Sequence, residues 1–290
     1  MLEIYRYGEK ISMPCALVLG GFDGLHLGHR ALLHEAKKTG LPVVITTMLG
    51  AKGSALFTKE ERAFIFENTA IDFVYEIPFT EELKNTEAEE FLVALFGNIN
   101  AEQVFCGEDF RFGKGARGTI ELLKAFAPVR VADTVKVGDT KVSTSLCKQY
   151  LSENNFKMLK ELLDEESGPF YDYKFYFIQG VVEHGRQVGR TYGFPTLNLS
   201  IPSEKLLPQD GVYGGFAVTP KGAYKSIINI GARPTFGVEE RKVEAYLKNF
   251  SGDLYGESVR VYPTEFLRGI KKFSSEKELK NQLKKDIERI

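Results

Sequence analysis

LVLGGFDGLHLGHRALLH, residues 17–34, decides how the first half of the chain is read. The apolar run 16–19 reads as a buried strand. It breaks at Gly20-Gly21, turns through a short loop, and enters a helical pattern near His29. A strand that stops at glycines and feeds a helix makes an anion site, because the first N–H groups of the helix have no partners and carry partial positive charge. His26 and His29 sit in that turn, separated by Leu27 and Gly28. Two imidazoles there supply donors that can follow charge on a reacting phosphate. A metal site built on the pair lacks a third ligand at suitable spacing.

Working outward, a helix over 29–39 ends at Gly40, and an apolar strand follows over 43–48. Strand, helix, strand at this spacing is a βαβ unit and implies a parallel sheet. Thr58 with Glu61 reads as a capping box, and so does Thr86 with Glu89, the latter opening a helix that runs to Phe96. Strands are predicted over 73–77, 103–106, 129–132 and 141–143. A helix is predicted near 119–126. A helical pattern over 145–163 breaks around Glu153-Asn154-Asn155. In folds of this kind, ligands bind in loops after strand ends. Three such loops stand out: 20–29, 107–113, and Ser143-Thr144-Ser145, whose hydroxyls sit where a strand meets a helix.

After Ser167-Gly168-Pro169 the rhythm changes. Strands at 174–183, 211–219, 224–230, 242–250 and 258–266 follow one another without helices, as in an antiparallel sheet or small barrel. A charged amphipathic helix over 275–290 closes the sequence, with Leu279, Leu283 and Ile287 on one face. In GRQVGRTYGFPTLN, residues 185–198, Gly189 and Gly193 allow close backbone approach to a ligand. Thr196 and Asn198 alternate onto one face and carry oxygens suited to Mg²⁺ and phosphate. In the strand KVEAYL, residues 242–247, Glu244 and Tyr246 take the face opposite Val243, Ala245 and Leu247.

Composition bounds the class. At 290 residues there is room for two cores. The formal net charge of −1 argues against a dedicated nucleic-acid binder. Three widely spaced cysteines read as free thiols in a reducing cytosol. The polar opening is no signal peptide, and no apolar run reaches the length of a membrane span.

The Gly-Phe-Asp-Gly-x-His-x-Gly-His turn resembles that of the HxGH nucleotidylyltransferases. Class I aminoacyl-tRNA synthetases share such a turn, but this chain is short and has no KMSKS-like segment. HxGH followed by GFPTxN and a glutamate-bearing strand is similar to the prokaryotic bifunctional riboflavin kinase/FMN adenylyltransferases, or FAD synthetases. The likeness extends through CGEDFRFGKGARG (106–118), VSTS (142–145), DGVYGG (210–215), INIGARPTFG (228–237), VEAYLKNFSGDLYGE (243–257) and LRGIKKF (267–273).

The resemblance implies a Rossmann-like α/β nucleotidylyltransferase domain over 1–166. Over 167–290 it implies an antiparallel β-barrel riboflavin kinase domain with a terminal helix. It implies phosphorylation of riboflavin to FMN, then transfer of AMP from ATP to FMN to give FAD, with Mg²⁺ as cofactor. Thr196 and Asn198 would hold Mg²⁺ and ATP phosphates, and Glu244 would be the general base. His26 and His29 would stabilise the adenylyl-transfer transition state. Gly21, Phe22, Asp23, Gly28, Ser143, Thr144, Ser145 and Lys148, with Gly189 and Gly193 in the second half, would line ATP. Asp109, Phe110, Phe112 and Arg268 would contact flavin, with Phe273 nearby. The partners implied are small molecules, with no nucleic acid or membrane; the chain is read as cytoplasmic, with its oligomeric state open and a monomer favoured.

Two departures mark the first half. Lys148 stands where the family carries arginine, which loses the two-pronged fork but keeps the charge. The turn Thr46-Thr47-Met48-Leu49-Gly50 lacks the family's Pro-His-Pro-like sequence. They leave one alternative to the bifunctional reading, a kinase with a weak adenylyltransferase half; a second alternative, of another class, is a non-catalytic flavin- or nucleotide-binding regulator.

Overall fold

The computed structural model describes residues 2–50, 53–69, 71–163, 175–184, 195–235 and 238–290. The chain divides into two compact units. The first runs to Gly53 and from Thr58 to Thr144; the second takes Ser54–Phe57, Ser145–Glu161 and the C-terminal region.

In the first unit the strands are β1 (Glu3–Arg6), β2 (Ile11–Val18), β3 (Val43–Leu49), β4 (Phe73–Pro78), β5 (Ile99–Gly107) and β6 (Val129–Ala132). They form one sheet in the order β1-β4-β3-β2-β5-β6, with every pair parallel. Helices α1 (Leu27–Lys37), α2 (Lys59–Glu67), α3 (Glu81–Lys84), α4 (Ala88–Asn98) and α5 (Ile120–Lys124) connect them. Cys15 to Val18 and Val43 to Ile45 are wholly buried, as strands covered on both faces must be. From β2 the chain first builds towards β3 and β4, then crosses to β5 and β6. The order therefore reverses beside β2, and a crevice opens there at the strand ends.

Local signals account for several elements. Thr58 and Glu61 form the capping box of α2 with both reciprocal hydrogen bonds made. The second predicted box is not formed: α4 is capped from Glu87 without a side-chain bond. Thr86 Oγ1 instead donates to Glu82 O at 3.1 Å, so its hydroxyl closes the short preceding helix α3. The predicted strand over 141–143 also differs. Thr140–Lys141 is the second arm (β8) of a hairpin with Lys136–Val137 (β7), and the main sheet ends at β6. The predicted helical break occurs between α6 (Thr144–Ser152) and α7 (Phe156–Leu163). There Asn154 takes a left-handed φ of 55°.

The second unit is a closed antiparallel barrel in the order β10-β13-β12-β11-β14-β9. Its strands are β9 (Ile178–Glu183), β10 (Thr196–Ser200), β11 (Gly211–Thr219), β12 (Gly222–Thr235), β13 (Val238–Leu247) and β14 (Ser258–Arg268). Alternation sends Ile178, Leu199, Ile228, Ala245 and Val261 inward, each at most 2 % exposed. Gly215 is required where β11 and β14 shift register: a Cβ there would lie 1.9 Å from Tyr262 O. Ser54–Phe57 joins this unit through Lys205, a buried cation whose Nζ donates to Leu56 O at 2.8 Å and Phe177 O at 2.6 Å.

Helix α8 (Glu276–Glu288) lies on the outside of the barrel. Ile287 and Ile290 pack on Val212, Ile227 and Leu267. Beside them Arg268 Nη2 meets Asp286 Oδ2 at 2.7 Å, with side chains 13 % and 2 % exposed. Gln282 Nε2 donates to the other carboxylate oxygen at 2.8 Å. Removing one member of a buried pair strands the other charge. Asp286→Ala is therefore expected to lower stability by about 3 kcal/mol in urea unfolding. A loss below about 1 kcal/mol, the level of an exposed pair, would contradict this.

Candidate active site

The first site is set by the end of β2. The strand is buried to Leu19, then Gly20 is held to β3: its N–H donates to Thr46 Oγ1 at 3.2 Å, and Thr46 Oγ1 donates to Gly20 O at 3.1 Å. The chain then turns through Phe22, at a left-handed φ of 44°, to His26. His26 is the N-cap of α1, and its Nδ1 accepts from the His29 N–H at 3.3 Å. His29 Nδ1 lies 2.7 Å from Gly24 O. A carbonyl only accepts, so Nδ1 of His29 carries the proton and Nε2 is bare. His26 has the reverse arrangement, with its proton on Nε2. The two imidazoles stack at 3.7 Å and 14°, and Phe22 backs His29 at 4.4 Å. Gly28 makes room for this stack: a Cβ there would sit 3.2 Å from His26 Cε1.

Burial drives the His26 pKa down to about 4, with the Arg30 charge adding to it and the Asp109 carboxylate opposing it. Burial also holds His29 well below the ordinary value, reinforced by His26, and its bond to Gly24 O only partly compensates. Both rings are therefore neutral near pH 7.

The pair opens into a pocket of about 800 Å³ at the reversal in strand order. Of the residues predicted for this half, Gly21, His26, Gly28, His29, Ser143 and Thr144 line it, and so do Asp109, Phe110 and Phe112 from the loop after β5. Phe110 and Phe112 stack at 5.6 Å, and Phe91 adds a third ring 5.9 Å from Phe112. Four expected contacts are not in the lining. Phe22 is wholly buried behind His29, where it supports the ring. Asp23 is half-buried in the turn. Ser145 lies inside the first turn of α6. Lys148 donates to Ser54 O at 2.8 Å. Sequence reading missed Thr46 and Lys141. Lys141 lines the pocket and pairs with Asp109 at 2.8 Å, holding that carboxyl below its usual range. A lysine at a hairpin end gives no sequence signal beyond solvent exposure.

The second site is on the outer wall of the barrel. Asn198 of β10 stands directly opposite Glu244 of β13, and Thr196 opposite Tyr246. Because Val243 and Ala245 point inward and are wholly buried, Thr196, Asn198 and Glu244 share the outer face. Glu244 is half-buried. Gly189 and Gly193 lie outside the described residues. Arg268 lies in the same row, reached from Glu244 through Asn229 and Val212. Its guanidinium is occupied by Asp286 and by Gly269 O, with Phe273 5.8 Å away.

Comparison with known proteins bears on both sites. Residues 8–146 match the family model described as FAD synthetase, and residues 173–290 the one described as riboflavin kinase. The chain is 31 % identical to a bifunctional riboflavin kinase/FMN adenylyltransferase of Buchnera aphidicola from Schizaphis graminum, over 97 % of this chain and 94 % of that one. It belongs to that family. The Escherichia coli K12 member is 30 % identical over 98 % of this chain and 94 % of its own. A crystal structure of a Streptococcus pneumoniae protein, named there a macrolide-efflux protein, superposes with a TM-score of 0.85 at 28 % identity, covering 99 % of this chain and 98 % of that one. Among the described residues of this family member, no helix is long and apolar enough to cross a membrane.

The depressed histidines make stability depend on pH. Unfolded, they bind protons near 6.5; folded, His26 resists protonation down to about 4, and burial holds His29 well below its ordinary value. In that window the unfolded chain holds more protons, so stability falls as pH falls. Melting temperature is expected to drop between pH 7 and pH 5, with a shallower slope in His29→Asn. Equal slopes in the two proteins would contradict the neutral, stacked pair.

Proposed function

We propose that the two sites carry out successive phosphoryl-group chemistries: the barrel phosphorylates riboflavin to FMN, and the α/β unit adenylylates FMN to FAD. The reading extends the FMN adenylyltransferase domain over 1–166 and the riboflavin kinase domain over 167–290. The observation that supports it is that each unit gathers its own set of groups suited to phosphate. One is the stacked histidine pair beside an aromatic wall, and the other is the Thr196–Asn198–Glu244 face.

In the kinase step Glu244 takes the proton of the terminal ribityl hydroxyl. That oxygen bonds to the γ-phosphorus of ATP, the bond to the β-phosphate oxygen breaks, and ADP leaves. Thr196 and Asn198 supply hard oxygen donors, which fits Mg²⁺. They are uncharged, so the ion's charge would be balanced mainly by ATP phosphates. When bound, Mg²⁺ neutralises charge on the transferring group. The remaining work belongs to the protein: Thr196 and Asn198 orient the phosphates against Glu244, and Arg268 holds α8 beside that face through Asp286.

In the adenylyl transfer, an oxygen of the FMN phosphate bonds to the α-phosphorus of ATP and pyrophosphate leaves. His26 donates its Nε2–H to the developing charge, and His29 is aligned beside it by Gly24 and Phe22. Ser143 and Thr144 bind phosphate where α6 begins. Phe110 and Phe112 offer faces to a flat ring, with Asp109 and Lys141 at its rim. Three buried free thiols fit a reducing cytoplasm, and the near-zero net charge fits an enzyme that acts on small molecules rather than nucleic acid. Burial pushes the Cys15 thiol up to about 12 and Cys106 to about 11, which keeps both unreactive.

Flavin chromatography of reactions with Mg-ATP tests this. Glu244→Gln is expected to lower FMN formation from riboflavin at least about 100-fold while still converting added FMN to FAD. His26→Ala is expected to accumulate FMN, with FAD formation down about 100-fold. Loss of both conversions in either variant, each assayed from its own added substrate, or loss of neither, would overturn the division of labour.

A further inference from the structure

Glu244 has a neighbour on each side. Asn198 faces it from β10, and Asn229 of β12 stands directly opposite it on the other flank. Asn229 points outward, because Ile228 and Ile230 on either side of it are wholly buried in the barrel. Directly paired residues place their Cβ atoms about 5 Å apart, so the Asn229 amide and the Glu244 carboxylate border one strip of surface. Asn229 is half-buried, and its amide makes no hydrogen bond among the described residues. Among the described residues no side chain claims this amide, and its polar atoms reach the surface, where a ligand beside the carboxylate can meet them.

The chemistry of the two groups differs. A carboxylate only accepts hydrogen bonds, whereas an amide both donates and accepts. A polyhydroxylated chain lying across the row would find an acceptor for one hydroxyl and a two-way partner for the next. The apolar alternative on this row is visible one strand further, where Val212 follows Asn229.

We propose that Asn229 binds the secondary hydroxyl of the ribityl chain adjacent to the terminal one, and so aligns the terminal hydroxyl on Glu244. The proposal rests on the reading of Glu244 as the base. The strand order β10-β13-β12 then lays out nucleotide side, base and acceptor side as Asn198, Glu244 and Asn229. Asn229 forms and breaks no covalent bond; it fixes which hydroxyl reaches the carboxylate.

The test uses the full chain with Mg-ATP and compares riboflavin with an analogue lacking only that secondary hydroxyl. In the unaltered enzyme the analogue is expected to lose about tenfold in kcat/KM, the scale of one hydrogen bond. Asn229→Ala is expected to lose the same factor with riboflavin, to lose nothing further with the analogue, and to keep the KM for ATP. Asn229→Ser, which retains a hydroxyl, should recover part of the loss. A full further loss when analogue and variant are combined would overturn the proposal, as would unchanged riboflavin kinetics in Asn229→Ala. If Asn229→Ala folds poorly, Asn229→Ser with the two flavins gives the same comparison. Failure of the base reading shows separately, as normal phosphorylation by Glu244→Gln.

Discussion

Asn198, Glu244 and Asn229 stand side by side because three antiparallel strands pair in one register. A slip of one residue in β13 would turn Glu244 into the barrel and bring Ala245 or Val243 out. Neither arrangement is tolerable: a carboxylate would be buried without a partner, and the inward-facing apolar layer would be exposed. Burial of Val243, Ala245 and Leu247 thus fixes the register, and the register sets Asn198, Glu244 and Asn229 in one outer row. Closure of the barrel strengthens this constraint, since β10 pairs with both β13 and β9 and leaves no free edge to shift.

The first unit reaches an analogous result by different means. A parallel sheet gathers its loops at one end, and the reversal of strand order beside β2 opens a crevice between them. Into it the chain sends a glycine turn held by the Thr46 hydroxyl, then a histidine cap and a stacked second histidine held by backbone groups. Keeping the two imidazoles neutral and parallel leaves the His26 Nε2–H as an oriented donor rather than a fixed charge, with His29 locked to Gly24 O beside it. The exposed Lys141–Asp109 pair at the rim contributes little to stability, so its members can exchange partners when an anion enters.

Local signals were legible in the sequence. The Gly20-Gly21 turn, the Thr58–Glu61 box, the break at Asn154 and the inward alternation along β13 all act within a few residues. What escaped depends on partners distant in sequence. β1 exists because it pairs with β4 some seventy residues on. Ser54–Phe57 leaves its neighbours to join Lys205. Thr86 carries the pattern of a cap, but its hydroxyl is engaged by Glu82 before it can serve α4. Phe22 and Lys148 matched positions in a motif, yet packing behind His29 and the Ser54 carbonyl claimed them. Asn229 lies in an apolar strand, and only its pairing with Glu244 gives it a place in the row.

The account holds that the two phosphate sites are chemically independent. Mixing Glu244→Gln with His26→Ala tests that most directly, with riboflavin and Mg-ATP supplied and FAD followed over time. Each variant alone should make almost no FAD, and the mixture should make it after a lag in which FMN builds up. A mixture that forms no more FAD than the two variants do separately would contradict the account.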